Sequence, residues 1–202
     1  MAVVCMIAIW TSLTTKLCNR PAREEASEPL QDMLHPQSPI SPEKLMHQAL
    51  LIIDVQPSFA PPQWLVDGIQ ALIGTLPSAA TVERHDESIT PFEKQLGWHP
   101  APDDDSLIPA DRIFIKHGYA PTAETIDYLK SLNVERVLVC GLQTETCCLA
   151  AGFALFDAGL QPTLITDLTV GSSLDRTGGL GVRLWEHHFK HTVRSSDLWS
   201  VQ

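Results

Sequence analysis

A chain of 202 residues, 44% hydrophobic and 19% charged, is long enough for one domain with a sizeable core and too apolar to be disordered. Its formal net charge of -10 argues against nucleic acid or anionic lipid as partners, since both need a basic surface. Five cysteines with no C-x-x-C and no zinc-type spacing argue against a disulfide framework, and point to free thiols in a reducing, cytoplasmic setting.

Residues 2–10, AVVCMIAIW, are apolar but fall short of the roughly 20 needed to span a bilayer. As a signal peptide they lack a preceding Lys or Arg and a following Ala-x-Ala. Residues 19–45 are rich in Pro, Glu, Ser and Gln and read as a flexible linker. Residues 1–46 are therefore expected to form an N-terminal extension, with Met46 as a candidate true start, and 47–202 the folded domain. The run Ala49 to Ile53, ending in Asp54, lacks alternation, as in a strand buried on both faces. Helical spacing follows over Gln63 to Leu76. A weaker strand at Ala79 to Val82 leads to Arg84 and His85. The loop 86–111 carries Trp98, His99 and the run Asp103-Asp104-Asp105, read as a solvated face. A third strand, Arg112 to Ile115, ends in Lys116, and Thr122 to Leu132 is helical. Arg136 to Cys140 forms a fourth strand, with a turn at Gly141 and a helix opening at Thr144. Gln161 to Thr166, Thr177 to Phe189 (broken near Gly178, Gly179 and Gly181) and His191 to Val193 complete a strand, a helix and a strand. Strands alternating with helices imply a three-layer α/β/α, Rossmann-like fold around a mainly parallel sheet of about six strands.

In such sheets ligands bind beyond the carboxyl ends of the strands. Asp54, Lys116 and Cys147 all fall there. Cys147, in the first turn of its helix, is where unpaired N–H groups and the helix dipole favour a thiolate. Ala151, Ala154 and Ala158 share its helix face, whereas Cys148 falls with Gly152 and Leu155 and reads as core. Cys140, inside a strand, reads as a buried small hydrophobe.

Asp54-Val55-Gln56-Pro57-Ser58-Phe59 resembles the D-x-Q-x-x-F opening of the isochorismatase-like cysteine hydrolases, a family that includes nicotinamidases. Gly141 to Cys147, GLQTETC, resembles their G-x-x-T-x-x-C nucleophile turn, and Lys116 stands where they have a lysine. The resemblance runs from about Gln48 to about Ser196 by element order. It implies a triad in which Cys147 attacks an amide carbonyl, Asp54 takes the thiol proton and passes it to the leaving nitrogen, and Lys116 holds Asp54 ionised and favours the thiolate. Water activated by Asp54 would then hydrolyse the thioester. It also implies a cis peptide at Leu142–Gln143, with the N–H groups of Gln143 and Cys147 aimed at the oxyanion. Phe59 and Tyr119 are candidate pocket walls.

The match departs from nicotinamidases where they bind a metal through Asp-x-His and further histidines. Here the sequence reads Arg84-His85-Asp86-Glu87, with His99 a lone candidate, so no metal and no cofactor are expected and nicotinamide ranks low as a substrate. Arg84 and His85 could read a substrate carboxylate or carbonyl, and Trp98 could belong to a lid. His187 and His191, four residues apart, would share a helix face without a third ligand, so they and His188 read as surface histidines. The expected activity is metal-independent C–N hydrolysis of a small amide, carbamoyl or ureido compound by a homo-oligomer. The alternatives are a vinyl-ether hydrolase of the isochorismatase type, whose members act without the cysteine, and a non-catalytic binding or oligomerisation protein.

Overall fold

The structure, a computed structural model, describes residues 47–199, so the expected extension 1–46 and the readings of its start lie outside the described residues. The strands are β1 (Gln48–Ile53), β2 (Ser78–Glu83), β3 (Arg112–Lys116), β4 (Arg136–Leu142), β5 (Gln161–Val170) and β6 (Thr192–Val193). All pair in parallel, in the order β3-β2-β1-β4-β5-β6. The order reverses direction between β1 and β4, and the carboxyl ends at such a reversal leave a crevice. The three-layer α/β reading of the sequence describes this sheet.

The helices are α1 (Gln63–Gln70), α2 (Phe92–Leu96), α3 (Ala123–Ser131), α4 (Leu149–Asp157) and α5 (Gly179–Phe189). The unalternating run of β1 has a direct cause. Ala49, Leu51 and Ile53 pack on one face with Leu129 of α3, Ala151 and Leu155 of α4, and Trp185 and Phe189 of α5. Leu50 and Ile52 pack on the other with Leu65, Val66 and Ile69 of α1. Each Leu, Ile, Val or Phe among them contributes about 1.5–3 kcal/mol by leaving water. This holds the central strands, and the groups at their ends, in fixed register.

Several boundaries differ from the sequence reading. α1 stops at Gln70 and not near Leu76, because Gly74 turns the chain at φ 82° and the Thr75 hydroxyl donates to the Leu72 carbonyl. β2 is wholly buried and extends through Glu83. β5 continues to Val170, since the register jumps from Val139 opposite Leu164 to Gly141 opposite Thr169. Gly141 lies inside β4 and is not a turn. Its φ is 111°, and a Cβ there would stand 2.1 Å from the Ile53 carbonyl oxygen, so only glycine lets β4 press this closely on β1. α5 is unbroken. Gly181 serves contact, since a Cβ there would meet the Glu145 nitrogen at 2.6 Å, and its absence lets α5 lie against the turn that carries Cys147.

Candidate active site

The chain enters the site through strand ends. Asp54 directly follows β1, with φ 50°, and its N–H donates to the Thr81 carbonyl of β2. Glu83 and Lys116 are cross-strand partners at the ends of β2 and β3. After β4 the Leu142–Gln143 peptide is cis, and a π-helical turn, Thr144–Cys148, precedes α4. Within that turn the N–H groups of Thr146 and Cys148 both donate to the Gln143 carbonyl, and the N–H of Cys147 between them is not part of that pairing. The sequence reading opened an ordinary helix at Thr144; here the Cys148 N–H instead reaches five residues back, one more than in an α-helix.

These ends bring Asp54, Lys116 and Cys147 together, all buried. The Lys116 ammonium donates to Glu83 Oε2 at 2.6 Å and to the Gly118 carbonyl at 2.7 Å. It stands 2.8 Å from Asp54 Oδ2 and 3.8 Å from Cys147 Sγ. The Asp54 contact is a close ion pair set off the axis of a hydrogen bond, which leaves Oδ2 room for another proton. Asp54 Oδ1 accepts from the Thr81 hydroxyl at 2.7 Å. The Cys147 thiol lies 3.9 Å from Glu83 Oε2, and its sulfur, a Glu83 oxygen and an Asp54 oxygen all lie within 4.8 Å of one another.

The electrostatics follow from burial. Desolvation raises the proton affinity of Asp54, and Lys116 and Thr81 oppose it without reversing it. Desolvation raises Glu83 in the same way, again against Lys116. Lys116 is pushed above the usual lysine range, because its anionic neighbours outweigh its own desolvation. Burial, and then the Asp54 charge, push the Cys147 thiol well above its usual range, which Lys116 only partly offsets. Both influences favour the protonated form of the Cys147 thiol. The helix start expected to favour a thiolate is thus opposed here by desolvation and by the neighbouring Asp54.

Glu83 was missed by sequence reasoning, which ended β2 at Val82. The available signal was its period-2 relation to Thr81, which puts both on one strand face. The role of Gln56 was also missed. Its side chain accepts from the Glu83 N–H and donates to the Glu83 carbonyl, both at 2.8 Å, and donates to Asp104 Oδ2 at 3.0 Å. Asp104 also accepts the Ser58 N–H at 2.9 Å. The acidic run is thus not uniformly a solvated face, since its middle residue is buried. Arg84 is engaged by the same loop, donating to the Asp104 carbonyl and to Asp105.

Tyr119 stands half exposed with its ring edge-on to Phe92, and burial, then its proximity to Cys147 and Glu83, raise its hydroxyl above the usual range. Phe59 packs against the exposed Trp98 with ring centres 5.5 Å apart. Cys140 and Cys148 are wholly buried, and burial raises both thiols. His187 and His191 do not share a helix face, because Lys190 ends α5 in the left-handed region at φ 67°. His191 instead bonds to Gln161, and His188 meets Phe153 edge-on.

The sequence model of the isochorismatase domain matches residues 48–191. The chain belongs to the isochorismatase family. No curated protein matches it. Solved structures show the same fold. One is an isochorismatase-like hydrolase from Alkaliphilus metalliredigens (15% identity, TM-score 0.61, covering 75% of this chain and 94% of that one). Another is the pyrazinamidase of Pyrococcus horikoshii in complex with zinc (18%, 0.62, 73% and 99%). A third is the N-carbamoylsarcosine amidase from Thermoplasma acidophilum (17%, 0.62, 73% and 96%). Family members therefore include hydrolases of the amidase type. No helix among the described residues is long and apolar enough to cross a membrane.

The zinc of the Pyrococcus protein makes the local donor set worth testing. Among the described residues, Asp54, Glu83 and Cys147 alone bring three ligand atoms within 4.8 Å of one another. They do not fit a divalent ion, since the Lys116 ammonium already stands among them at 2.8, 2.6 and 3.8 Å. His85 and His99 are stacked face to face with centres 3.8 Å apart, and join no third donor at that range.

Proposed function

We propose that this protein is a cysteine-dependent amidohydrolase that cleaves a C–N bond in a small amide, carbamoyl or ureido compound without a metal. The observation that carries the reading is the meeting of Cys147, Asp54 and Lys116 in one buried nest at the β1–β4 reversal. As a substrate carbonyl arrives, Cys147 Sγ attacks its carbon and the thiol proton moves to Asp54. Lys116 steadies the charge that passes between them. Because the resting thiol is neutral, ionisation and attack occur together. The N–H groups of Gln143 and Cys147 receive the developing oxyanion. Loss of the amine leaves a thioester on Cys147, which water hydrolyses. Phe59 and Tyr119 wall the approach.

Free Cys140, Cys147 and Cys148 suit a cytoplasmic protein. Exposed Ile113 and Ile115 on the edge strand β3 suit a homo-oligomer. The deciding experiment is an ammonia-release screen over small amides, followed by Cys147→Ala. Turnover should fall by at least about 10³-fold, and a substrate-derived mass on Cys147 should vanish. Full activity in the alanine variant would end this reading.

A further inference from the structure

The nest contains one acid more than a Cys–Asp–Lys mechanism uses. Two carboxyl groups and a thiol surround a single ammonium, all buried. Were both carboxyls ionised, the nest would hold a net negative charge, and passing the thiol proton to Asp54 would not relieve it. Buried sites of this kind retain a proton instead. Every charged or titratable group that faces Glu83 is in view: Asp54 after β1, Lys116 and His117 from the end of β3, Tyr119 beyond it, and Cys147 in the π-helical turn.

The two carboxyls are not equally equipped to hold that proton. Asp54 has the Thr81 hydroxyl on Oδ1, and its Oδ2, though also without a hydrogen bond, has the ammonium 2.8 Å away. Glu83 has the ammonium on Oε2, whereas Oε1 is buried with no hydrogen-bond partner among the described residues. An ionised Oε1 would be a bare buried anion, and a protonated one is a donor awaiting an acceptor. The backbone of Glu83 is fixed on both sides by Gln56, so its carboxyl is held next to the nucleophile and is not a loosely placed surface acid.

We propose that Glu83 is the second catalytic carboxyl of this site: it rests as the neutral acid, gives its proton to the departing nitrogen, and takes one back from the hydrolytic water. This rests on the reading of Cys147 as the nucleophile. In acylation the Sγ–C bond forms, the thiol proton goes to Asp54, the C–N bond breaks and the nitrogen leaves with the Glu83 proton. In deacylation water attacks the thioester carbon, one of its protons returns to Glu83, the C–S bond breaks and the sulfur recovers the proton on Asp54. The sum is amide plus water to acid plus amine, with both carboxyls restored. Asp54 serves the sulfur and Glu83 serves nitrogen and water, so the two proton tasks that the resemblance placed on Asp54 alone are divided.

The test needs no substrate at its first stage. Glu83 is the one fully buried glutamate among the described residues. Infrared spectra of the wild-type protein at neutral pH should contain a protonated-carboxyl C=O band that moves on ¹³C-glutamate labelling. Absence of the band, or a band that labelling leaves in place, overturns the proposal, whichever way Cys147→Ala behaves. Glu83→Gln then replaces a neutral acid by a neutral amide. It should leave alkylation of Cys147 by iodoacetamide within about threefold while lowering ammonia release by about 10²–10⁴-fold. A rise in alkylation of more than about tenfold would mean that an anion had been removed, and would also overturn it. If Glu83→Gln does not fold, the labelled wild-type spectrum decides alone.

Discussion

Glu83 and Asp104 are both buried acids linked through one glutamine, yet their surroundings push them in opposite directions. Burial raises the proton affinity of Glu83, and Lys116 does not undo it. Burial raises Asp104 as well, but donors from Ser58 and Gln56, with Arg84 nearby, outweigh it and hold the carboxyl below its usual range. The difference lies in satisfaction. Asp104 receives N–H donors aimed at its charge, so it is ionised and structural. Glu83 is left with one oxygen bare, which costs stability and keeps a proton available. A fully satisfied polar network makes a scaffold, and an incompletely satisfied one keeps chemistry in reserve.

The strongest way to break this contrast is to remove the cation. Lys116→Met leaves two buried carboxyls without a counter-charge and should cost about 3–5 kcal/mol in a urea melt at neutral pH. A variant as stable as the wild type would mean that the nest does not bury the charge described. Next comes the link itself. Gln56→Ala orphans the N–H and carbonyl of Glu83 and one donor to Asp104, and should cost about 1–3 kcal/mol. It should also lower ammonia release, because it loosens Glu83 without touching Cys147. The smallest effect belongs to the scaffold acid. Asp104→Asn should cost about 1 kcal/mol at neutral pH.

The signs with pH follow from the same contrast. The Asp104 contribution, with its folded proton affinity lowered, is present above the ordinary carboxylate range and is lost as pH falls through its folded value. Asp104→Asn should therefore flatten the acid limb of a melting-temperature profile. Glu83, held up in the folded state, does the opposite. Its ionisation lowers stability as pH rises from the ordinary carboxylate range toward its folded value, and Glu83→Gln should remove that decline.

The fold was legible because its strongest signals are local. Ala49 to Ile53 is apolar without alternation only because both faces of β1 are covered. The candidate site was legible at Asp54, Lys116 and Cys147, which stand at strand ends or in a recognisable turn. Glu83 escaped because an acid ending an Ala-Thr-Val run looks like the first residue of a loop, and its partner Lys116 is brought beside it only by the β2–β3 register. Asp104 escaped for the reverse reason, since three aspartates in a row look solvated until Ser58 and Gln56 are seen to reach one of them. Gly141 and Gly181 look like breaks and are points of contact, a distinction that depends on what lies opposite each one.

The register of the sheet also sets when this protein can work. β1 comes first in the described chain, yet Ile53 lies against Thr81 on one side and Gly141 on the other, both distant in sequence. Cys147, Asp54 and Lys116 thus come from segments that meet only through non-local pairing, the slow part of folding a parallel sheet. During refolding from denaturant, helical circular dichroism should recover before ammonia release does. Returning activity would then time the docking of β4 onto β1, making the reaction an internal clock for completion of the sheet.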